Sequence, residues 1–129
     1  MEPMLNEIST YALAYLGDSV IEQCVRTMLV KKGYSSSKRL NAKALSYVTA
    51  RAQSEAVTRI LPLLSEEETG VFHRGRNIGH TNVPKSASVS EYRMATGFEA
   101  LFGYLSLAGR RERIEELFSV AYNEKGETK

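Results

Sequence analysis

The chain has 129 residues, no tryptophan, a single cysteine and nothing that alternates like a strand. One cysteine, Cys24, excludes an internal disulfide framework and metal clusters of the Cys₂His₂ kind. No stretch approaches the roughly 18 consecutive apolar residues of a membrane span. The first residues are polar and acidic and lack the apolar region of a secretory signal, so a cytoplasmic protein is expected. Acids are missing from two long stretches. Between Gln23 and Ser54, Arg26, Lys31, Lys32, Lys38, Arg39, Lys43 and Arg51 stand without a single Asp or Glu, and between Thr69 and Ser90 the same holds for Arg74, Arg76 and Lys85. A net charge of +2 hides this segregation, which describes an electropositive face able to meet phosphates as well as ordinary solvated helix faces.

What is present is an apolar fraction of 43% and a charged fraction of 25%, the balance of a globular protein. The length suits a single domain over residues 1–129 with a sizeable core. Apolar periodicity and capping signals predict an all-α bundle of five helical segments. The first runs from Ser9 to Lys32 and stops at Gly33, and the second from Ser37 to Leu61 before Pro62. A third opens on the capping box Ser65-Glu-Glu-Glu68 and reaches Arg76. The fourth opens on a second box, Ser88-Val-Ser-Glu91, and reaches Ala108, and the fifth covers Arg110 to Asn123. The longest stretch without helical character, Asn77 to Ser86, is polar and basic and joins two well-capped helices, a placement loops with a function often have.

Two helices break local rules in the same way. Asp18, the only aspartate, lies beside Gly17 inside the apolar run Tyr11 to Ile21. Glycine costs roughly 1 kcal/mol against alanine in a helix interior, and aspartate prefers caps and turns. In the fourth helix Glu99 is the sole acid after the first turn, with Gly97 and Gly103 around it. On a helical wheel Tyr11, Ala14, Asp18 and Glu22 share one stripe, and Tyr92, Ala95, Thr96, Glu99 and Gly103 share another. Small residues on both stripes permit close approach. If the stripes face each other, Asp18 and Glu99 converge, and two confined carboxylates need a cation. Mg²⁺ held by one or two carboxylates, waters and a substrate phosphate is one such arrangement. Pairing of each acid with an arginine such as Arg93 or Arg51 is the other, and the spacing leaves both open.

Tyr15-Leu-Gly-Asp-Ser-Val20 resembles the signature helix of ribonuclease III catalytic domains, and Phe98-Glu-Ala-Leu-Phe-Gly-Tyr-Leu105 resembles that family's second acidic motif. The resemblance is nearer to Mini-ribonuclease III, the bacterial branch made of the catalytic domain alone. Asn41-Ala-Lys-Ala-Leu-Ser-Tyr-Val48, Phe72-His-Arg-Gly-Arg-Asn77, Val83-Pro-Lys85 and Tyr92-Arg93 carry it over nearly the whole chain, and no double-stranded-RNA-binding domain is expected. The resemblance implies a homodimeric, Mg²⁺-dependent endoribonuclease that cuts double-stranded RNA and leaves 5′-phosphate ends. It further implies maturation of the 23S ribosomal RNA precursor, with a large-subunit ribosomal protein on the substrate as a possible partner. Carried over by position, Asp18 and Glu99 become catalytic metal ligands, and Arg74, Arg76, Asn77 and Lys85 become RNA-backbone contacts. The larger ribonuclease III enzymes have glutamates where Tyr11 and Ala14 stand and an aspartate at Thr96, while Arg51 and Gln53 stand near where a further acid is expected. The same thinning typifies the Mini branch.

Other residues carry no chemistry in this reading. His73 and His80 are expected as surface hydrogen-bonding groups, Cys24 as a small buried hydrophobe, and the aromatic residues as core and dimer-interface groups. The rival function is a catalytically inactive ribonuclease III-like module that binds duplex or ribosomal RNA; retention of both Asp18 and Glu99 speaks against it.

Overall fold

The computed structural model describes residues 4–78 and 88–123. They form six α-helices, α1 (Thr10–Lys31), α2 (Ser37–Val48), α3 (Ala50–Ile60), α4 (Glu66–Arg76), α5 (Val89–Leu107) and α6 (Arg111–Ala121), with short 3₁₀ turns at Leu5–Glu7 and Leu61–Leu63. No strand occurs among the described residues, as the sequence led one to expect. Five of the six α-helices start where a hydroxyl side chain satisfies a first free N–H group, α6 alone following an uncapped Arg110. Ser9 accepts from the Ala12 amide, and both expected capping boxes form, Ser65 with Glu68 and Ser88 with Glu91. Gly33 ends the first helical segment at φ 99°, in the left-handed region that glycine enters without penalty.

One expected helix is two. The segment Ser37–Leu61 breaks at Thr49, whose ψ of 158° is extended and whose hydroxyl accepts from the Ala52 amide at 3.1 Å, closing α2 and capping α3. Burial explains the break. α2 buries only Tyr47, whereas α3 buries Gln53, Ala56, Val57 and Ile60, so the two halves need different directions.

α5 is the centre of the bundle. It buries Ala95, Gly97, Phe98, Ala100, Leu101, Phe102, Gly103 and Leu105, and α1, α3, α4 and α6 all pack on it. A helix apolar nearly all round is stable only when so enclosed. The Phe98 and Phe102 rings meet edge to face at 4.9 Å in the main core, beside Tyr122. Truncating one such ring to alanine costs about 3–5 kcal/mol.

Polar ties fix the periphery. Glu68, 2% exposed, receives two hydrogen bonds from the Arg113 guanidinium at 2.9 and 2.8 Å, joining α4 to α6. That fork holds the Glu68 carboxyl below its ordinary range. The Tyr122 hydroxyl donates to the Tyr47 carbonyl at 2.7 Å, and Arg59 donates to the Ala121 carbonyl at 2.6 Å, so the end of α6 is sewn to α2 and α3.

Candidate active site

The site is made by two helices in backbone contact. A Cβ built on Gly17 of α1 would overlap the carbonyl of Glu99 and lie 2.9 Å from the Gly103 nitrogen. Reciprocally, a Cβ on Gly103 would overlap the Leu13 carbonyl and lie 3.0 Å from the Gly17 nitrogen. The two glycines thus let α1 and α5 cross closer than any side-chain-bearing pair allows. The helical penalty of Gly17 noted from sequence has this as its return.

That crossing brings Asp18 against Glu99. Burial, then the charge of Asp18 and the hydrogen bond between the two carboxyl groups, push the Glu99 pKa from 4.5 up to about 8. Near neutral pH the pair alone therefore retains a proton. The desolvation falls on one partner only. Asp18 is exposed on α1, because its apolar neighbours Leu13 and Ile21 turn into the core and away from it.

No group of three or more His, Cys, Asp or Glu side chains suited to a metal gathers among the described residues. The donor set is the pair Asp18 and Glu99. Two converging carboxyls, one of which keeps its proton up to about pH 8 when no cation is near, are hard oxygen donors of the type Mg²⁺ takes alongside waters. The residues fit that ion. Neither alternative arginine pairs with them: Arg51 is bonded to Glu55 at 3.4 Å, and Arg93 lies in no ion pair with either acid. Elsewhere on the two stripes, Glu22 is paired with Arg26 at 3.0 Å, and the Thr96 hydroxyl turns back onto the Tyr92 carbonyl at 3.0 Å.

α4 delivers the basic residues. A Cβ on Gly75 would lie 2.9 Å from Gly97 Cα and 2.8 Å from Ala100 Cβ, so the last turn of α4 docks on α5 through a second glycine contact. Arg74, exposed, and Arg76, half-buried, flank Gly75, and Asn77 follows as the C-cap. Gly75 itself sits against the Thr96 carbonyl, one turn of α5 from Glu99. Lys85 and His80 lie outside the described residues. The Gly75–Gly97 contact was missed in the sequence, although a glycine inside the helical run His73-Arg-Gly-Arg76 was its signal. Tyr11 and Tyr15 are the other surprise: on the same helix as Asp18 they are 72% and 79% exposed.

A helical domain with an acid pair at a glycine-mediated crossing defines a class, and comparison with known proteins agrees. The family model "Ribonuclease III domain" matches residues 11–110. The chain is 47% identical over 109 residues to a Mini-ribonuclease 3 of Symbiobacterium thermophilum, covering 84% of each protein. It is 40% identical over 124 residues to that of Enterococcus faecalis, covering 95% of this chain and 94% of that one. A crystal structure of a protein from Fusobacterium nucleatum superposes with a TM-score of 0.81 at 31% identity, over 89% of this chain and 92% of that one. The chain belongs to the ribonuclease III family, in its Mini-ribonuclease 3 branch. It is an endoribonuclease.

Proposed function

We propose that this enzyme cuts double-stranded RNA with Mg²⁺ held between Asp18 and Glu99, and that it acts in the cytoplasm on the 23S ribosomal RNA precursor. The observation that carries the reading is the forced approach of α1 and α5, which sets two carboxyls in contact and leaves the pair needing a positive charge. A bound Mg²⁺ supplies an activated water and offsets the charge that builds on the phosphodiester. The chain's own groups do the rest. Asp18, on the exposed side, would meet solvent and substrate; Glu99, positioned by the Gly17 contact, would hold the ion as a carboxylate. Arg74, Arg76, Asn77 and Lys85 hold the RNA backbone, the arginines as two-pronged donors to phosphate. Duplex RNA is recognised through phosphates, 2′-hydroxyls and shape, which such residues can reach.

Tyr11 and Tyr15 support a homodimer. Two large aromatic rings on adjacent turns of one exposed helix face are the kind of surface a second copy covers. The duplex then lies across two sites, one for each strand. A large-subunit ribosomal protein on the precursor shapes the substrate in this reading. The test is end-labelled duplex RNA incubated with wild type and Asp18→Asn, in Mg²⁺ and in EDTA. Cutting only by wild type and only with Mg²⁺ is expected; cutting by both proteins, or in EDTA, contradicts the proposal.

A further inference from the structure

The flank of α1 that carries Asp18 continues past it. Asp18, Glu22 and Arg26 follow at four-residue steps, each turned roughly 40° further round the helix, so the three share one flank with Tyr11 and Tyr15. Leu13, Gly17, Ile21 and Val25 take the neighbouring stripe into the core. Among the cations of the acid-free stretch from Gln23 to Ser54, Arg26 is the nearest to Asp18 along α1, about 12 Å further on at about 1.5 Å per residue. Lys31 lies roughly 220° round the helix from Asp18, on a different face.

The Arg26 guanidinium is held at one nitrogen. Its Nε donates to Glu22 Oε2 at 3.0 Å, and neither terminal nitrogen donates to a described residue. Holding the group by Nε restricts its plane and leaves the two terminal nitrogens as a fork of the kind that takes phosphate oxygens. Glu22 is the inner member of the pair, its side chain 33% exposed against 71% for Arg26, so the fork is on the solvent side. An exposed pair at this spacing contributes little to folding. What it fixes is direction.

That direction leads along the acid site. α1 and α5 cross antiparallel, since Leu13 meets Gly103 while Gly17 meets Glu99. Going from Asp18 toward Arg26 is therefore going from Glu99 toward Thr96, against which Gly75 sits between Arg74 and Arg76. Arg26 of α1 and the two arginines of α4 thus lie to the same side of the acid pair along the bundle. The opposite direction leads to Tyr15 and Tyr11, the face proposed for a second copy. A duplex that leaves the acid pair away from the second copy runs toward Arg26. Resting on the reading of this site as a duplex-RNA nuclease, we propose that Arg26 is a further contact to the RNA backbone, forking a phosphate other than the one cut, and that Glu22 is its positioning residue.

The test is gel-shift titration of an RNA duplex in EDTA over a range of KCl concentrations, with melting curves to show that each variant is folded. Arg26→Ala should bind roughly tenfold more weakly near 0.1 M KCl, with a salt slope lower by about 1. Arg26→Lys keeps the charge without the fork and should fall between. Arg26→Ala also bares the Glu22 carboxylate, so the double variant Glu22→Ala/Arg26→Ala is included and should bind no better than Arg26→Ala. Glu22→Gln and Glu22→Ala are both neutral, but only the amide still accepts from Nε, so Glu22→Gln should bind more tightly than Glu22→Ala. Equal affinities of those two would remove Glu22 from the proposal. Arg26→Ala with wild-type affinity and slope, or a double variant restored to wild-type binding, overturns the Arg26 contact. Wild type that neither binds the duplex nor cuts it in Mg²⁺ overturns the underlying reading as well, whereas a wild type that cuts beside an unaffected Arg26→Ala overturns this contact alone.

Discussion

Gly17 of α1 rests on the backbone carbonyl of Glu99 of α5, and the same contact sets the neighbouring Asp18 against the Glu99 side chain. Fold and chemistry therefore share one point. A methyl group at position 17 has no room, because the atoms it would strike are main chain and cannot rotate away. Gly17→Ala should cost about 3 kcal/mol or more, at the upper end of overpacking penalties. It should also remove cleavage by separating the acids. Gly33→Ala is the control: its φ of 99° is strained for alanine, but nothing crowds it. That variant should lose about 1 kcal/mol and keep full activity. Urea unfolding and duplex cleavage on both proteins check the contrast; an active, stable Gly17→Ala would contradict it.

The raised pKa of Glu99 makes metal-free stability depend on pH in a stated direction. An acid with a folded pKa of about 8 and an ordinary value of 4.5 binds more protons folded than unfolded between those limits. Its contribution is therefore fully present below about 4.5 and is lost as pH rises through about 8. Glu99→Gln removes that loss. Without divalent ions, the variant should melt several degrees above wild type at pH 8.5, with the gap closing toward pH 4.5. Added Mg²⁺ should raise the melting temperature of wild type only. Melting curves across this range decide it, and a pH-independent gap would go against the half-buried, proton-holding carboxyl.

Arg74 and Arg76 emerge from the end of α4 that docks on α5 through Gly75. As phosphate contacts, their joint replacement by alanine should weaken duplex binding and lower the salt slope by about 2. Gel-shift titrations over a range of KCl concentrations measure both quantities. A parallel loss in affinity with an unchanged slope would assign the arginines to structure.

Tyr15, 79% exposed, is the most exposed large hydrophobic side chain of α1. If two copies pair through this face as proposed, Tyr15→Lys should leave the monomer folded and shift sedimentation from dimer to monomer, with loss of double-strand cutting. A Tyr15→Lys protein that still sediments as a dimer would place the interface elsewhere.

Much of this was legible in the sequence because helices advertise their own ends. Ser9, Ser65, Ser88 and Gly33 each stand where a cap or stop is required, and each performs that role. The two stripes that carry Asp18 and Glu99 followed from a 3.6-residue period alone; that they face each other is seen only in the assembled bundle. The break at Thr49 did not, since one threonine inside a helical run is unremarkable until the buried faces on its two sides diverge. Nor did the asymmetry of the two acids. Periodicity tells which residues share a face; it does not tell that α5 would be enclosed by four helices while Asp18 kept its access to solvent. The docking of Gly75 on Gly97 is likewise a property of the assembled bundle.

The most direct test of the acid pair is a double-mutant cycle in single-turnover cleavage of an end-labelled RNA duplex, with Asp18→Asn, Glu99→Gln and the two combined. Residues that hold one ion act as a unit, so each single variant should lose about a thousandfold or more in rate and the double variant should be hardly worse than either. Independent, multiplying losses, or a single variant that cleaves within a few-fold of wild type, would contradict a shared site at Asp18 and Glu99.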